Sequence, residues 1–565
     1  MRKNHILMLM LAASLSASAQ SPVKVNQIGY YPDGPKTAVI EPAAKAKSFT
    51  LKDSRGKTVW HGKAVRTSVS PFDGRQRQVV NFSDVRRPGT YTLIAKGKKQ
   101  QVIIAPHAFK DVAAASVKAF YLQRTGMAIE KRYAGEYARP AAHMDQKVIV
   151  HPSAASPQRP AGTVISSPEG WYDAGDYNKY IVNSGFTCGL MLENYLINKA
   201  YYDSMKLDIP ESANSIPDYL DEIMYNLRWM LTMQDPHDGG VYHKLTTPSF
   251  EGFVMPAECR QPRYVVQKGT AAALDFAATM ALAARIYAPY AECGQFCKDA
   301  LKAAGRAYAW AVAHPYVAYQ QDDINKRFKP EIVTGAYGDG HFSDEFFWAA
   351  TELYLSTGEE SYLLQASAMM PERFTVPTWG DVSGIGAMAW LNLDIKGNKP
   401  AGAPCTERLR NSLQAFCDSV VNAIPTSSFE TPNGNRAEDF CWGSNSERCA
   451  GMGIALMYQY ALSGDAKYLS AAIATCDYLF GRNATGYCFV TGFGTQQVMN
   501  IHHRISAADG VKAPLPGLLA GGPNIGQQDR AENFTYRSNI PDESYEDVVQ
   551  SYASNEIAIN WNAYL

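Results

Sequence analysis

The chain changes its hydrophobic rhythm once. Between residues 22 and 105, short runs alternate apolar and polar positions and are rich in Val, Thr and aromatic residues: KTAVIEP, SFTLKD, KTVWHGK, RQVVNFS and GTYTLIA. Turn-forming DGPK, SRGK and RRPG separate them. Period-two runs broken by such turns predict strands, and strands at this spacing predict a small β-sandwich. After Pro106 the apolar residues recur at spacings of three and four. That pattern predicts helices over DVAAASVKAFYLQRTG, IPDYLDEIMYNLRWMLTMQ, TAAALDFAATMALAARIYAPYA, DEFFWAATELYLSTG and ERCAGMGIALMYQYALSG. Gly126, Gly358 and Gly464 stand where left-handed C-caps are expected. The 270–290 helix is apolar nearly all round, interrupted chiefly by Asp275 and Arg285, so it is expected to be buried on more than one face. Irregular Gly/Pro/aromatic loops join these helices and no short repeat is visible. One closed helical body with its chemistry in the loops fits better than a solenoid.

Composition then narrows the function classes. Apolar residues make up 46% and charged residues 19% of the 565, an ordinary globular balance, and the formal net charge is zero. A neutral chain has no field for phosphate backbones or acidic membrane surface, so no nucleic-acid partner is expected. The 33 Tyr and 9 Trp suit sugar rings as well as core packing. The opening MRKNHILMLMLAASLSASAQ reads as a signal peptide over 1–19, with Arg2 and Lys3, an apolar run and the Ala17-Ser18-Ala19 cleavage site. Gln20 follows, not a Cys to be lipidated, and no stretch is long enough to span a bilayer. A secreted or periplasmic protein, monomeric, is the expectation. Ten Cys all follow residue 180; Cys293/Cys297 and Cys441/Cys449 are close enough to pair, and buried free thiols are an equal alternative.

Three loop clusters carry chemistry. GWYDAGDYNKY, 171–181, sets Asp173 and Asp176 in a small-residue turn walled by Trp171, Tyr172, Tyr177 and Tyr180. VTGFGTQQVMNIHHR, 490–504, leads Gly-rich backbone into His502, His503 and Arg504. SYEDVVQSYASNEIAINWNAYL, at the end, holds Asp547 and Glu556. Acetal hydrolysis needs two carboxyl groups flanking the sugar bond, one protonated for the leaving oxygen and one ionised for water. Apolar neighbours keep a carboxyl protonated, and Glu556 lies amid Tyr552, Ile557, Ala558, Ile559 and Trp561. Asp176, beside a second carboxylate and a Gly turn, suits the base. His502 and Arg504 offer donors to hydroxyls.

These motifs resemble glycoside hydrolase family 9, the inverting cellulase family, across most of 107–565. GWYDAGDYNKY is similar to its aspartate motif, and GGVYHKLT, ELYLSTG, CWGSN, LFGRNATGYCFVTGFG and PGLLAGGPN to its body. The terminal YEDVVQSYASNEIAINWNA is especially diagnostic. VKVNQIGYYPDGPKTAVI resembles the immunoglobulin-like module of one branch of that family. The resemblance implies a module over 20–105 and an (α/α)6-barrel catalytic domain over 106–565. It implies Asp176 as general base, Asp173 as its water-holding companion, Glu556 as proton donor, and His502 and Asp547 as active-site residues. Arg504 lies beside the donor subsite by the same likeness. Tyr337, Trp379 and Trp442 are candidate stacking platforms, and His243 joins them as a substrate-binding candidate. Asp344, Glu345 and Asp381 match positions that supply calcium, with helix N-terminal placement the alternative for the first two. No catalytic cofactor is implied. Zinc is not expected, because Ala142 stands where the branch commonly has a Cys ligand near His143 and His151. The substrate expected is a β-1,4-linked glucan, as polysaccharide or oligosaccharide. An exo-acting β-glucosidase or glucosaminidase and a non-catalytic glycan-binding protein are the alternatives.

Overall fold

The computed structural model describes residues 21–397 and 406–565. The expected signal peptide lies outside the described residues. The first eight strands are β1 (Val23–Lys24), β2 (Thr37–Ile40), β3 (Phe49–Asp53), β4 (Thr58–Gly62), β5 (Arg66–Val69), β6 (Gln76–Asn81), β7 (Gly89–Ala95) and β8 (Lys98–Ile104). They form two antiparallel four-stranded sheets, β1-β2-β6-β5 and β4-β3-β7-β8. Alternate residues such as Ile40, Phe49, Leu51, Val80, Leu93 and Val102 meet between the sheets and make this module's own core.

Twelve helices of the described residues then alternate between an outer and an inner ring. The outer ones are α1 (Lys110–Leu122), α3 (Asp218–Thr232), α5 (Gly294–Ala313), α7 (Glu360–Met369), α9 (Thr406–Ala423) and α11 (Ala466–Leu479). The inner ones are α2 (Ile181–Ile197), α4 (Thr270–Tyr287), α6 (Ser343–Thr357), α8 (Ser383–Ile395), α10 (Gly451–Ser463) and α12 (Ile559–Ala563). The inner ring closes on itself: α2 packs on α4, α4 on α6, α6 on α8 and α8 on α10. The wide turn Ser446–Ala450 that opens α10 packs on α12, and α12 returns to α2. This is the (α/α)6 barrel. Its inner helices are apolar all round because both faces meet protein; in α4 every residue but Arg285 is buried. Small residues set the approach, since a Cβ on Gly185 would stand 2.9 Å from the Asp275 Cβ.

Gly358 and Gly464 take the left-handed C-cap conformation, as expected. Gly126 does not cap α1, whose C-cap is Gln123; it turns the chain so that its amide meets the Ala142 carbonyl at 2.9 Å. All nine described cysteines are free, Cys293, Cys297, Cys441 and Cys449 among them. No described helix is long and apolar enough to cross a membrane.

The module is bolted to the barrel by polar contacts. Asn26 donates to Asp477 at 2.7 Å, and Asp477 is paired with Arg482 at 2.8 Å. Arg482 also reaches the carbonyls of Phe429 at 3.1 Å and Glu430 at 2.7 Å. Gln27 spans the 486–496 loop. Its amide nitrogen donates to the Gly486 carbonyl at 2.7 Å, and its oxygen accepts from the amides of Thr495 at 2.9 Å and Gln496 at 2.8 Å.

Candidate active site

A third sheet positions the site. Its strands are β9 (Val148–Val150), β10 (Val164–Ile165), β11 (Lys179–Tyr180), β12 (Lys244–Thr246) and β13 (Tyr264–Val265), in the order β10-β9-β13-β12-β11. β11 runs straight into α2, so the preceding aspartate loop sits at one mouth of the barrel. The rings of the aspartate motif are buried and each is tethered. Trp171 donates to Glu222 at 2.8 Å, Tyr172 meets His143 at 2.7 Å, and Tyr177 donates to the Val254 carbonyl at 2.7 Å. They make the loop rigid, which preorganises its carboxylates.

Backbone pairing gathers the three clusters. Ala174 bridges Ala558, and His502 bridges Glu556. The Arg504 amide donates to the Gly175 carbonyl at 3.1 Å, and the Gly175 amide reaches Glu556 Oε1 at 3.3 Å. Only glycine fits at 175, because a Cβ there would lie 2.1 Å from the His502 carbonyl oxygen. Residues more than 300 positions apart in sequence are thus held by main chain, independent of any ligand.

Asp173 accepts from Asn183 at 2.7 Å and from the Tyr337 hydroxyl at 2.7 Å. Burial, then the Asp176 charge, push its carboxyl up to about 8. Asp176 Oδ2 accepts from Asn178 at 2.6 Å and from the Tyr180 hydroxyl at 3.0 Å. Glu556 is also pushed up to about 8, by burial first and by Asp176 second, with Arg504 opposing. Its carboxyl is therefore protonated at neutral pH and can donate a proton. His502 Nδ1 meets the Val549 carbonyl at 2.7 Å, which assigns the proton to that nitrogen and leaves Nε2 as an acceptor. Burial pulls this imidazole down to about 4, so it stays neutral.

Other expected residues sit one layer back. Asp547 accepts from the amides of Met499 at 3.0 Å and Asn500 at 2.8 Å, and from Asn555 at 3.2 Å, bracing the segments on both sides of His502 and Glu556. Arg504 spends donors on the carbonyls of Gly175 at 2.8 Å and Glu251 at 2.7 Å. It is a loop brace whose charge bears on Glu556. His243 is a correction: it is buried, stacked on Tyr319 at 4.1 Å, and its Nε2 meets the Ala336 carbonyl at 2.7 Å. It shapes the segment before Tyr337 from beneath and has no open face for a sugar.

Tyr337 is more than a platform, since its hydroxyl holds Asp173 while its ring meets Trp379 edge-on at 5.1 Å. Trp442 is 41% exposed and lies against Tyr552 at 5.5 Å, whose ring in turn meets His502. Exposed Phe250 and Phe253 flank Arg504 at 5.3 and 5.5 Å, and Phe253 also packs on His502. The sequence reading passed over these two, together with Asn178 and Asn183, and took Tyr180 only as a wall of the turn. Asn183 carried a usable signal: a lone amide in the apolar run that starts α2.

The calcium set is not gathered as expected. Asp381 spends Oδ1 on the amide and hydroxyl of Ser383 and Oδ2 on Thr375, and Asp344 accepts from the Val382 amide at 2.9 Å. Glu345 and Asp275 are buried with all four carboxyl oxygens unbonded. Those orphaned oxygens have the chemistry of hard-cation ligands, although no group of three His, Cys, Asp or Glu among the described residues forms a metal cage. Near Ala142, where zinc is not expected, His143 is held by Tyr172, and His151 is held by Ser153 at 2.8 Å and the Pro330 carbonyl at 2.9 Å.

Comparison with known proteins bears on the family and the fold. The family model for glycosyl hydrolase family 9 matches residues 109–565, and that for the cellulase N-terminal ig-like domain matches residues 18–100. A xyloglucan-specific endo-β-1,4-glucanase of Bacteroides ovatus is 49% identical over 554 residues, covering 98% of this chain and 94% of its own. Endoglucanase D of Acetivibrio thermocellus is 32% identical over 567 residues, covering 98% and 84%. Among solved structures, a Bacteroides ovatus GH9 protein superposes with a TM-score of 0.92 at 48% identity, covering 96% of this chain and 97% of its own. A thermostable endoglucanase of Alicyclobacillus acidocaldarius superposes at 0.84 with 30% identity, covering 96% and 98%.

Proposed function

The chain belongs to glycosyl hydrolase family 9, and from that membership we propose that it is an exported endo-β-1,4-glucanase that inverts the anomeric centre, with xyloglucan as its first candidate substrate. Glu556 is the general acid and Asp176 the general base. The observation that carries this reading is the assembly of the aspartate loop with Glu556 through the Gly175 and His502 main chain.

In this reading Glu556 holds its proton at neutral pH and delivers it to the leaving oxygen as the glycosidic bond breaks. Asp176 takes a proton from water entering on the opposite face, and Asp173, fixed by Asn183 and Tyr337, orients that water. After one turnover Glu556 is ionised and Asp176 protonated, and exchange with solvent restores both. Neutral His502 accepts a sugar hydroxyl at Nε2. Trp442, Trp379, Phe250 and Phe253 supply apolar faces for the rings on either side. The named substrate of the 49%-identical relative is what singles out xyloglucan. We extend the proposal to a calcium ion near Glu345, held with Asp344 and supplying the charge that the buried carboxylates lack; it takes no part in the reaction.

The test is a panel of xyloglucan, mixed-linkage glucan and a soluble cellulose derivative, followed by viscosity and by reducing ends. Viscosity should fall early relative to reducing ends, fastest on xyloglucan. Release of monosaccharide with viscosity preserved would refute endo action.

A further inference from the structure

Lys244 is a buried charge for which the reaction above has no use. It lies on β12 opposite Tyr180 of β11 and is fully buried. Its ammonium donates to Gln321 Oε1 at 2.6 Å, Thr334 Oγ1 at 3.0 Å and the Gly335 carbonyl at 2.6 Å. Three donors meet three neutral acceptors, which satisfies hydrogen bonding and cancels no charge. The nitrogen also stands 5.5 Å from the Tyr180 ring and 5.4 Å from the Tyr319 ring, whose π-faces attract a cation. Lys244 has no ion-pair partner among the described residues. The charge that steadies it is Asp176, whose Oδ2 accepts from the Tyr180 hydroxyl at 3.0 Å.

Thr334 and Gly335 open the segment that carries Tyr337, the hydroxyl donor to Asp173. One ammonium therefore touches both arms of the aspartate pair: through Tyr180 toward Asp176, and through the 334–337 segment toward Asp173. We infer that Lys244 is a positioning residue of the general base, whose charge, acting across Tyr180, attracts the Asp176 carboxylate while its hydrogen bonds fix the segment bearing Tyr337.

The titratable groups around Lys244 are His243 on its own strand, Tyr180 and Asp176 on the aspartate loop, and Tyr319 on the loop that precedes Gln321. His243 is held neutral by burial, pulled down to about 3, so Lys244 is the one cation in this shell. Asp176 faces Asp173, Tyr180 and Glu556 in turn. Burial pulls Lys244 down to about 7 and Asp176 pulls it back up. The attraction between the ammonium and the Asp176 carboxylate is mutual. Lys244 carries its charge below neutral pH.

The inference rests on Asp176 being the base, and the experiment separates the two. The pH dependence of kcat/KM is measured for wild type, Lys244→Gln and Gln321→Glu, with Asp176→Asn alongside. Gln321→Glu puts a carboxylate on the ammonium and silences its field while keeping the lysine, at the loss of the Gln321 donor to Thr334. It therefore serves even if Lys244→Gln folds badly. Both variants should move the acidic limb upward by about one pH unit, the size of a Coulomb attraction acting across one ring at an effective dielectric near 20. Activity on that limb should then fall about tenfold, with less change on the alkaline limb. A lysine that merely pins the loop would lower kcat at every pH and leave the limb in place. An unmoved limb in Gln321→Glu, with Asp176→Asn inactive, overturns the role of Lys244 alone. An active Asp176→Asn overturns the base assignment and this inference with it.

Discussion

Replacing Gln27 with Ala removes one side chain of the module and should be felt at His502. Gln27 closes the 486–496 loop with three hydrogen bonds to its main chain: to the Gly486 carbonyl at 2.7 Å, from the Thr495 amide at 2.9 Å and from the Gln496 amide at 2.8 Å. The chain continues from this loop to Met499 and Asn500, which Asp547 grips, and then to His502. At about 0.5–1.5 kcal/mol net per hydrogen bond, the three are worth about 2–4 kcal/mol of local order. Tenfold in population costs about 1.4 kcal/mol, so the loop should open about 30-fold to 1,000-fold more often. Hydrogen exchange of residues 486–500 reads this directly, and it should rise by that factor while the inner helices exchange as before. kcat/KM on a soluble glucan should drop with it, because His502 and Glu556 share paired main chain. The global melting point should change little, since Asn26, Arg482 and the apolar contacts of the module remain. Unchanged exchange in the loop would refute the reasoning; changed exchange with unchanged kcat/KM would confine the module to stability.

Glu556→Gln should lower kcat on glucans by about 10²–10⁴ and lower it far less on aryl glycosides whose leaving group needs no proton. Equal losses on both would remove Glu556 from the acid role. In wild type the activity should decline as pH rises through about 8, where Glu556 loses its proton. A buried carboxyl pair gives a second pH effect. Glu193 on α2 accepts from Asn392 on α8 and faces Glu352 on α6, and burial, then the Glu352 charge, raise it well above its ordinary value of 4.5. The folded state keeps a proton that the unfolded chain loses above pH 4.5, so stability should fall as pH rises beyond that value toward the folded pKa. Glu193→Gln should therefore melt higher than wild type at pH 8–9, relative to pH 5; parallel melting curves would count against a proton kept on Glu193. Added calcium should raise the melting point by binding the folded state alone, and Glu345→Gln should abolish the increment. A melting point indifferent to both calcium and chelator would return Asp344 and Glu345 to helix-terminal roles.

The barrel was legible because its inner helices bury every face, and α4 could be read from that alone. Five strands of the module were legible from alternation. β8 was not, because it opens Lys-Lys-Gln-Gln with its polar side in water; β1 and β5 are too short for periodicity. The sheet under the site, made of two- and three-residue strands, leaves no pattern at all. The clustered acids and histidines announced themselves by type and spacing. His243 and Arg504 were harder, because residue type suggests a ligand contact and only tertiary packing shows that His243 is buried and that both reach main-chain carbonyls. Asn183 was visible as a polar residue in an apolar run, an anomaly whose purpose needs the partner across the fold; Lys244, between His243 and Leu245, gave no such signal.

The assignment of Asp176 as base and Glu556 as acid commits the enzyme to one stereochemical outcome. A water must fit between base and anomeric carbon, which calls for carboxyls about 6.5–9.5 Å apart, against about 5–5.5 Å for a nucleophile and its acid. Proton NMR of the first products from a soluble β-glucan, recorded before mutarotation, reads that outcome. The account predicts the α-anomer first, with the β-anomer growing in later. A β-anomer appearing first would mean a covalent glycosyl intermediate, and Asp176 would be a nucleophile.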